Sequence, residues 1–428
     1  MQTRPIALLL ALFTAFGPAS LAAASDRPPA RRPQQTAERR PGESVDARTG
    51  RIFNEAIELM SAERHAEARS KLGTVQQERL SPYERGRLEL LYVNVDLAEE
   101  RYASAREHLR AALASGGLND VEISESRFRI GQIYAAEERW EDCARELTGW
   151  LDTAVSSNSD AFYTLAVCHY RAGALDASVE AAQRCVDLTD TPKETWLQLL
   201  VALRIERAEY ALARPLLRRL VGVAPGRRVY WLQLSQVSAA LDDPAAAAGA
   251  LQLAYQANLL TEDTELRRLA ESLAQVGIPY RAARILAREI ERERVPANAR
   301  SLELLANLWI AARENDRAVE PLLQAARLAD SGRLHLRLAE VHVQKQEWSA
   351  AEAAARAARE KGQLPDPCRA ELLLGIAAQA QQRPGEARGA LRRAGVAESC
   401  RREAEGWLRY IDSQLDATPV EDAGPAGR

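Results

Sequence analysis

Residues 126–150 read SRFRIGQIYAAEERWEDCARELTGW. Ile130, Gly131 and Tyr134 fall at i, i+1 and i+4, and Cys143, Leu147 and Trp150 at i, i+4 and i+7. Each trio forms one stripe of an α-helix, and the charged residues between them mark a turn. The stretch therefore predicts two antiparallel amphipathic helices, the first from about Ser126 to Tyr134 and the second opened by Trp140. Gly131 and Cys143 leave room where the two helices cross. Outward from Cys143, a small residue recurs at Ala68, Ala105, Ser178, Ala213, Ala247, Ala283, Ala318, Ala351 and Ala387, with Leu or Ala four positions later. In seven of the ten cases an aromatic or proline lies three positions earlier: Tyr102, Trp140, Tyr210, Pro244, Tyr280, Trp348 and Pro384. The steps between neighbours are 37, 38, 35, 35, 34, 36, 35, 33 and 36.

Paired helices at a period of about 34 residues are the pattern of tetratricopeptide repeats. The predicted fold is all-α: a right-handed tetratricopeptide solenoid of about ten helix-turn-helix repeats with a C-terminal capping helix. The expected division is a signal peptide (1–24), a disordered Pro/Arg-rich linker (25–48), the solenoid (49–399), the capping helix (400–415) and a disordered tail (416–428). Ala166 with Ser178 and Gly375 with Ala387 should repeat the close crossing of Gly131 with Cys143. Gly173 and Gly277 sit where first helices end and suit a left-handed turn residue. Pro244 and Pro384 fall in first turns of second helices, where a missing N–H is harmless. Pro215 and Pro321 lie deeper, where local irregularity is the expectation.

Composition narrows the function. The formal net charge is -3, so the chain carries no global basic field of the kind nucleic-acid binding needs. Its only lysines are Lys71, Lys193, Lys345 and Lys361; the other basic residues are arginines. Arg4, the apolar run from Ile6 to Phe16, the break at Gly17 and Pro18, and Ala22, Ala23 and Ala24 read as an export signal cleaved near Ala24. The apolar run is too short for a comfortable membrane span, and no later stretch is longer. The expected location is the periplasm, with no stable membrane insertion after cleavage. The stretch that follows, with Pro28, Pro29, Pro33 and Pro41 among Arg27, Arg31, Arg32, Arg39 and Arg40, has no apolar periodicity and reads as a tether.

Five cysteines in an exported chain invite disulfides. Cys368 opens the first helix of repeat ten and Cys400 the capping helix, at the same end of neighbouring helices, which predicts a bridge. Cys143, Cys168 and Cys185 fall on packing faces, and a bridge among them is left open. The Cys spacings contain no C-x-x-C pair, and His335 and His342, seven apart, occupy core slots, so no metal site is expected. No cofactor is expected either. No H-E-x-x-H, phosphate-binding loop or G-x-S-x-G elbow occurs, so no catalytic residues are assigned and the chain is not read as an enzyme.

Binding is assigned to the face of first helices that points away from the core stripe. In repeats two to four that face presents Arg87, Leu90, Asn94, Phe128, Gln132, Tyr163, Val167, Tyr170 and Arg171. It continues with Gln198 and Ile205, then Leu232 and Gln236, Arg268, Glu303 and Asn307, and Leu336 and Glu340. Such a mixture suits an extended peptide or partner helix. Phe128, Tyr163, Tyr170 and Arg171 form the predicted hot spot. A chaperone-type clamp for a C-terminal carboxylate is not expected, because Leu90, Tyr163 and Val167 stand where it needs basic residues.

The stretch from Lys193 to about Ile411 carries longer phrases: KETWLQLLVAL (193–203), YWLQLSQV (230–237), AYQANLLTEDTELRRLAESLAQVGIPYRAARIL (254–286) and SLELLANLWIAARENDRAVEPLLQAARLADSGRLHLRLAEVHVQKQEW (301–348). These resemble exported bacterial tetratricopeptide proteins encoded beside TonB, ExbB and ExbD energy-transduction systems. Gly277, Ile278, Pro279 and Tyr280 belong to the likeness, which covers about half the chain. The resemblance implies a periplasmic scaffold, an accessory of a TonB-dependent transport complex, with TonB or ExbD periplasmic segments as partners. The other reading is an assembly chaperone or regulator that binds extended segments of envelope proteins.

Overall fold

The structure is a computed structural model that describes residues 44–151 and 159–416. The expected signal peptide, residues 25–43 of the expected linker and residues 417–428 of the expected tail lie outside the described residues. Among the described residues there are α-helices and one short 3-10 turn (Gln77–Arg79), and no strand. Repeat one pairs α1 (Ala47–Ser61) with α2 (His65–Leu72), and repeat two pairs α3 (Pro82–Ala98) with α4 (Tyr102–Ala114). Then follow α5 (Asp120–Ala136) with α6 (Trp140–Leu151), α7 (Ser159–Arg171) with α8 (Leu175–Asp187), and α9 (Glu194–Glu206) with α10 (Tyr210–Val223). These ten helices belong to one compact unit, which ends at Ala224.

A second unit starts at Pro225. It holds α11 (Arg228–Ala240) with α12 (Pro244–Gln256), α13 (Asp263–Gln275) with α14 (Pro279–Glu291), and α15 (Ala299–Ala311) with α16 (Asn315–Leu328). It closes with α17 (Arg333–Gln344) and α18 (Trp348–Lys361), α19 (Pro367–Ala380) and α20 (Pro384–Ala394), and the unpaired α21 (Glu398–Asp416). Pro215 and Pro321 are accommodated inside α10 and α16 without breaking either helix.

Every first helix ends in the same way. One residue takes a left-handed backbone in each repeat: Glu63, Glu100, Glu138, Gly173, Ala208, Asp242, Gly277, Arg313, Gln346 and Gln382, with φ between 53° and 79°. The next N–H reaches back five residues, as in Arg139 N to Tyr134 O at 2.9 Å and Glu209 N to Arg204 O at 2.8 Å. This satisfies a helix-end carbonyl and aims the chain back along the first helix. Glycine adopts the conformation freely, yet only Gly173 and Gly277 use it. Ala208 bears the Cβ–carbonyl crowding at φ 55°. Ala208→Gly is therefore expected to stabilise the first unit by about 1 kcal/mol. Thermal unfolding followed by helical circular dichroism checks this; an unchanged or lower midpoint would contradict it.

The crossing residue comes five positions after that turn: Ala68, Ala105, Cys143, Ser178, Ala213, Ala247, Ala282, Ala318, Ala351 and Ala387, all buried. In repeat seven the structure corrects the expected Ala283 to Ala282. Pro279 is the first residue of α14, as Pro244 and Pro384 are of α12 and α20, and that fixes the register. Ala283 is buried as well, one position round the helix. The closeness of the crossing is measurable. A Cβ on Gly131 would lie 2.4 Å from Leu147 Cδ2, and one on Gly375 would lie 2.6 Å from Leu391 Cγ. The Ser178 hydroxyl donates to the Ala166 carbonyl at 2.8 Å, helix against helix. Ala387→Leu overpacks this contact and is expected to cost about 1–3 kcal/mol, whereas Ala353→Leu on the exposed face should cost under about 0.5 kcal/mol. Equal melting points for the two variants would overturn the register.

The preference for arginine has a structural use. Arg106 and Arg139 lie over the Tyr134 ring at 4.8 and 4.7 Å, and Arg110 donates to its hydroxyl at 2.8 Å. Arg317 spans Tyr280 and Trp309, 5.7 and 5.1 Å from their centroids. A planar guanidinium can lie flat on a ring while its edge makes several hydrogen bonds in one plane. Arg106 and Arg110 with Tyr134, and Arg317 with Tyr280, join side chains of neighbouring repeats; Arg139 with Tyr134 and Arg317 with Trp309 lie within one.

Three expected boundaries move. α1 opens at Ala47, inside the expected linker, because the Asp46 carboxylate accepts the Arg48 N–H at 2.9 Å and caps it. α5 starts at Asp120, well before Ser126, because Asn119 and Glu122 form a capping box. α21 begins at Glu398 and runs to Asp416, past both expected ends of the capping helix.

Candidate functional site

Two capping boxes position the site. In α3, Ser81 Oγ accepts the Glu84 N–H at 3.2 Å, and Glu84 Oε2 accepts the Ser81 N–H at 2.9 Å. The other Glu84 oxygen accepts the Asp46 N–H at 2.7 Å, which ties the start of α1 to α3. Burial alone would raise the Glu84 carboxyl, but these backbone donors outweigh it and hold the group below its ordinary range. In α5, Asn119 Oδ1 accepts the Glu122 N–H at 2.9 Å and Glu122 Oε2 accepts the Asn119 N–H at 3.2 Å. The patterns S-x-x-E at 81–84 and N-x-x-E at 119–122 are legible signals of this kind, and the sequence reading passed over them.

With both helices so fixed, a cleft of about 130 Å³ lies between α3 and α5, lined by Arg87, Leu90, Leu91, Asn94, Glu122, Glu125, Ser126 and Arg129. One end is closed by Arg87, whose Nη1 donates to Glu122 Oε1 at 3.1 Å. The other is closed by Arg129, whose Nη1 donates to Asn94 Oδ1 at 3.2 Å. Leu90 and Leu91 supply the apolar lining between these ends, with Leu91 buried and Leu90 half-buried. Ser126 Oγ is committed to the Glu122 carbonyl at 2.7 Å and takes no part. Two leucines set among guanidinium, amide and carboxylate groups make a mainly polar cleft that can seat one aliphatic side chain and hydrogen-bond the backbone beside it. Arg87, Leu90 and Asn94, three of the residues expected on the binding face, are thereby brought together.

The expected hot spot is dispersed. Phe128 packs on Trp150 with centroids 5.0 Å apart. Tyr163 is half-buried, and burial pushes its hydroxyl up to about 12. Tyr170 is half-buried beside Glu206 of α9, burial first and that carboxylate second raising its hydroxyl. Arg171 lies over Trp140 of α6 at 5.6 Å. Phe128 is engaged within its own repeat, and Tyr170 and Arg171 reach adjacent repeats, which an aromatic composition cannot distinguish from a free binding patch. Gln132 is exposed, and Val167 and Gln198 are half-buried. Ile205 is buried, as is Leu336 in the second unit, so both leave the binding face. In that second unit Gln236 is half-buried, and Arg268 and Asn307 are exposed. Glu303 there receives both ends of the Arg333 guanidinium at 2.8 Å, so it is occupied within the fold.

Cysteines clasp neighbouring repeats. Cys143 on α6 is bonded to Cys168 on α7 with Cα atoms 6.0 Å apart, and Cys368 on α19 to Cys400 on α21 with Cα atoms 6.2 Å apart. Cys185 is a buried free thiol, pushed up to about 12 by burial and by Asp160. Asp366 Oδ1 lies 2.8 Å from Cys368 Sγ, but a disulfide sulfur has no proton to give; the carboxylate is held by the Ser399 hydroxyl at 3.2 Å. His342 is buried, with Nδ1 2.7 Å from Glu347 Oε2, whereas His335, expected in a core slot, is half-buried.

Residues 336–399 match the tetratricopeptide repeat family model. That segment runs from α17 into α21 and contains the tetratricopeptide crossings at Ala351 and Ala387. Solved tetratricopeptide structures are similar in fold. The C-terminal part of a repeat protein from Cytophaga hutchinsonii is 16% identical, with 64% of this chain and 95% of that one covered and a TM-score of 0.38. YrrB, described as a tetratricopeptide protein with an unusual peptide-binding site, is 15% identical over 40% of this chain and 84% of its own, with a TM-score of 0.34. The TPR2AB domain of yeast Sti1, in complex with pHSP90, is 17% identical over 59% and 98%, with a TM-score of 0.30. No curated protein sequence matches the chain.

Proposed function

We propose that the chain is a periplasmic protein-protein interaction scaffold, an accessory of a TonB-dependent energy-transduction complex that holds an extended segment of TonB or ExbD. The observation that carries the scaffold reading is the α3–α5 cleft, with Leu90 and Leu91 set between cross-helix polar pairs. Two disulfides and one buried thiol suit an oxidising compartment. The TonB assignment is supported by the phrases in residues 193–348 and by no residue of the cleft. Crosslinking in cells followed by purification should recover a TonB or ExbD periplasmic segment. Leu90→Glu, which places a charge in the apolar lining, should weaken that recovery about tenfold. Deleting the gene should lower uptake of TonB-dependent substrates; unchanged uptake would sink the TonB assignment. Recovery of many unrelated unfolded envelope proteins would favour a chaperone instead.

A further inference from the structure

The last helix packs Trp407 partly against the core of repeat ten and leaves the rest of its outer face open. Glu403, Gly406, Trp407 and Tyr410 fall at i, i+3, i+4 and i+7 of α21 and line a shallow, mainly apolar notch. Trp407 and Tyr410 meet edge to face with centroids 5.8 Å apart, and Tyr410 is 49% exposed. Nothing lies within 4 Å of the place where a Gly406 Cβ would be, so the notch is open between the rings and Glu403. Glu403 Oε2 accepts from Arg369 Nη1 at 2.9 Å. A carboxylate has two oxygens and can take a second guanidinium on the other one.

The sequence itself contains a segment of complementary chemistry. Residues 27–33, RPPARRP, hold three arginines, three prolines and no acidic residue. Proline-rich segments adopt the polyproline II conformation and dock on exposed aromatic pairs, where the rigid rings lose little entropy on binding. One polyproline turn advances about 9 Å. Glu403 and Tyr410 are seven residues apart on one helix, which is about 10 Å along its axis. A proline seated on Trp407 and Tyr410 therefore brings the side chain one polyproline turn onward to Glu403. With Pro28 on the rings, that side chain is Arg31.

We propose that the Pro/Arg segment of a second copy of this chain docks on the α21 notch, Pro28 and Pro29 against Trp407 and Tyr410 and Arg31 against Glu403. The pairing is assigned between copies, because each chain carries one segment and one notch and can both give and receive the contact. Such a contact is head to tail, and it adds copies one after another unless a ring closes. Export cleavage near Ala24 leaves the segment on the mature chain. The contact is separate from the α3–α5 cleft and stands or falls independently of the TonB assignment.

Sedimentation equilibrium on the mature full chain tests it. The wild-type chain should self-associate with rising concentration, and the double variant Trp407→Ala, Tyr410→Ala should raise the dissociation constant at least about tenfold. Glu403→Arg alone and Arg31→Glu alone should each lose association, while an equimolar mixture of those two variants should regain it through the swapped pair. Glu403 and Tyr410 are exposed and Trp407 is half-buried, and unchanged helical circular dichroism confirms each variant is folded. A wild-type chain that is monomeric at every concentration would overturn the proposal. So would an aromatic double variant that associates like wild type, or a charge-swap mixture that sediments as its separate components.

Discussion

Replacing Cys143 and Cys168 by alanine is expected to destabilise the first unit by about 3–4 kcal/mol, and replacing Cys368 and Cys400 should do the same to the second. The bridges close loops of 25 and 32 residues, and the entropy that each removes from the unfolded chain depends only weakly on that difference. Alanine is the appropriate probe because all four positions are buried and Cys143 occupies a crossing slot that alanine fills in most other repeats. The two bridges lie in different units, so their losses should fall on separate parts of a urea transition. The quadruple variant should show both. Unchanged midpoints in all three variants would mean that the bridges do not form, and with them would go the support for an oxidising compartment.

Glu289→Ala should cost about 3 kcal/mol, the other large effect. The Glu289 carboxylate is fully buried on α14 and accepts the Tyr255 hydroxyl of the preceding repeat at 2.5 Å. It is also paired with Arg294, which donates to the Leu260 carbonyl at 3.3 Å. One carboxylate thus gathers α12, the loop before α13 and the end of α14. Truncation would remove the acceptor of the tyrosine hydroxyl, which keeps the Arg288 guanidinium as its donor, and the carboxylate partner of Arg294. Arg294 is 32% exposed and finds water, which keeps the expected loss at the low end for a buried pair. Glu289→Gln retains an acceptor for Tyr255 and should lose about half as much. Denaturant midpoints of the two variants decide the matter, and a loss below about 1 kcal/mol for alanine would contradict the assigned role.

These two cases mark where a sequence stops being legible. The stripe around Cys143 sufficed to place nine of the ten crossings because one small side chain is needed at each, and its absence of bulk is visible in the letters. The left-handed turn residues are an equally regular marker, but they are invisible: Glu, Ala, Asp, Arg, Gln and Gly all occupy the slot, since its requirement falls on the backbone. Repeat seven went astray for a related reason. Ala282 and Ala283 are equally small, and only Pro279 at the first helical position distinguishes them. The face of first helices was legible as a set of positions. Which of its members are free was not, because Phe128, Tyr170 and Arg171 are taken up by residues of other helices. The cleft depends on pairs such as Arg87 with Glu122, 35 residues apart, whose meeting is decided by helix stacking. Glu289 falls seven positions after Ala282, on the core stripe, and the Tyr255 hydroxyl that satisfies its carboxylate there comes from the preceding repeat.

A photo-crosslinking residue in place of Gln132, exposed on α5 on the same face as the cleft, tests the central claim most directly. In living cells it should form one dominant adduct, identified by mass spectrometry as a periplasmic segment of TonB or ExbD. The same residue in place of Ala353, exposed on α18, serves as the control and should give none. An adduct pattern shared by both positions, or no adduct from position 132, would contradict a scaffold that binds through this face.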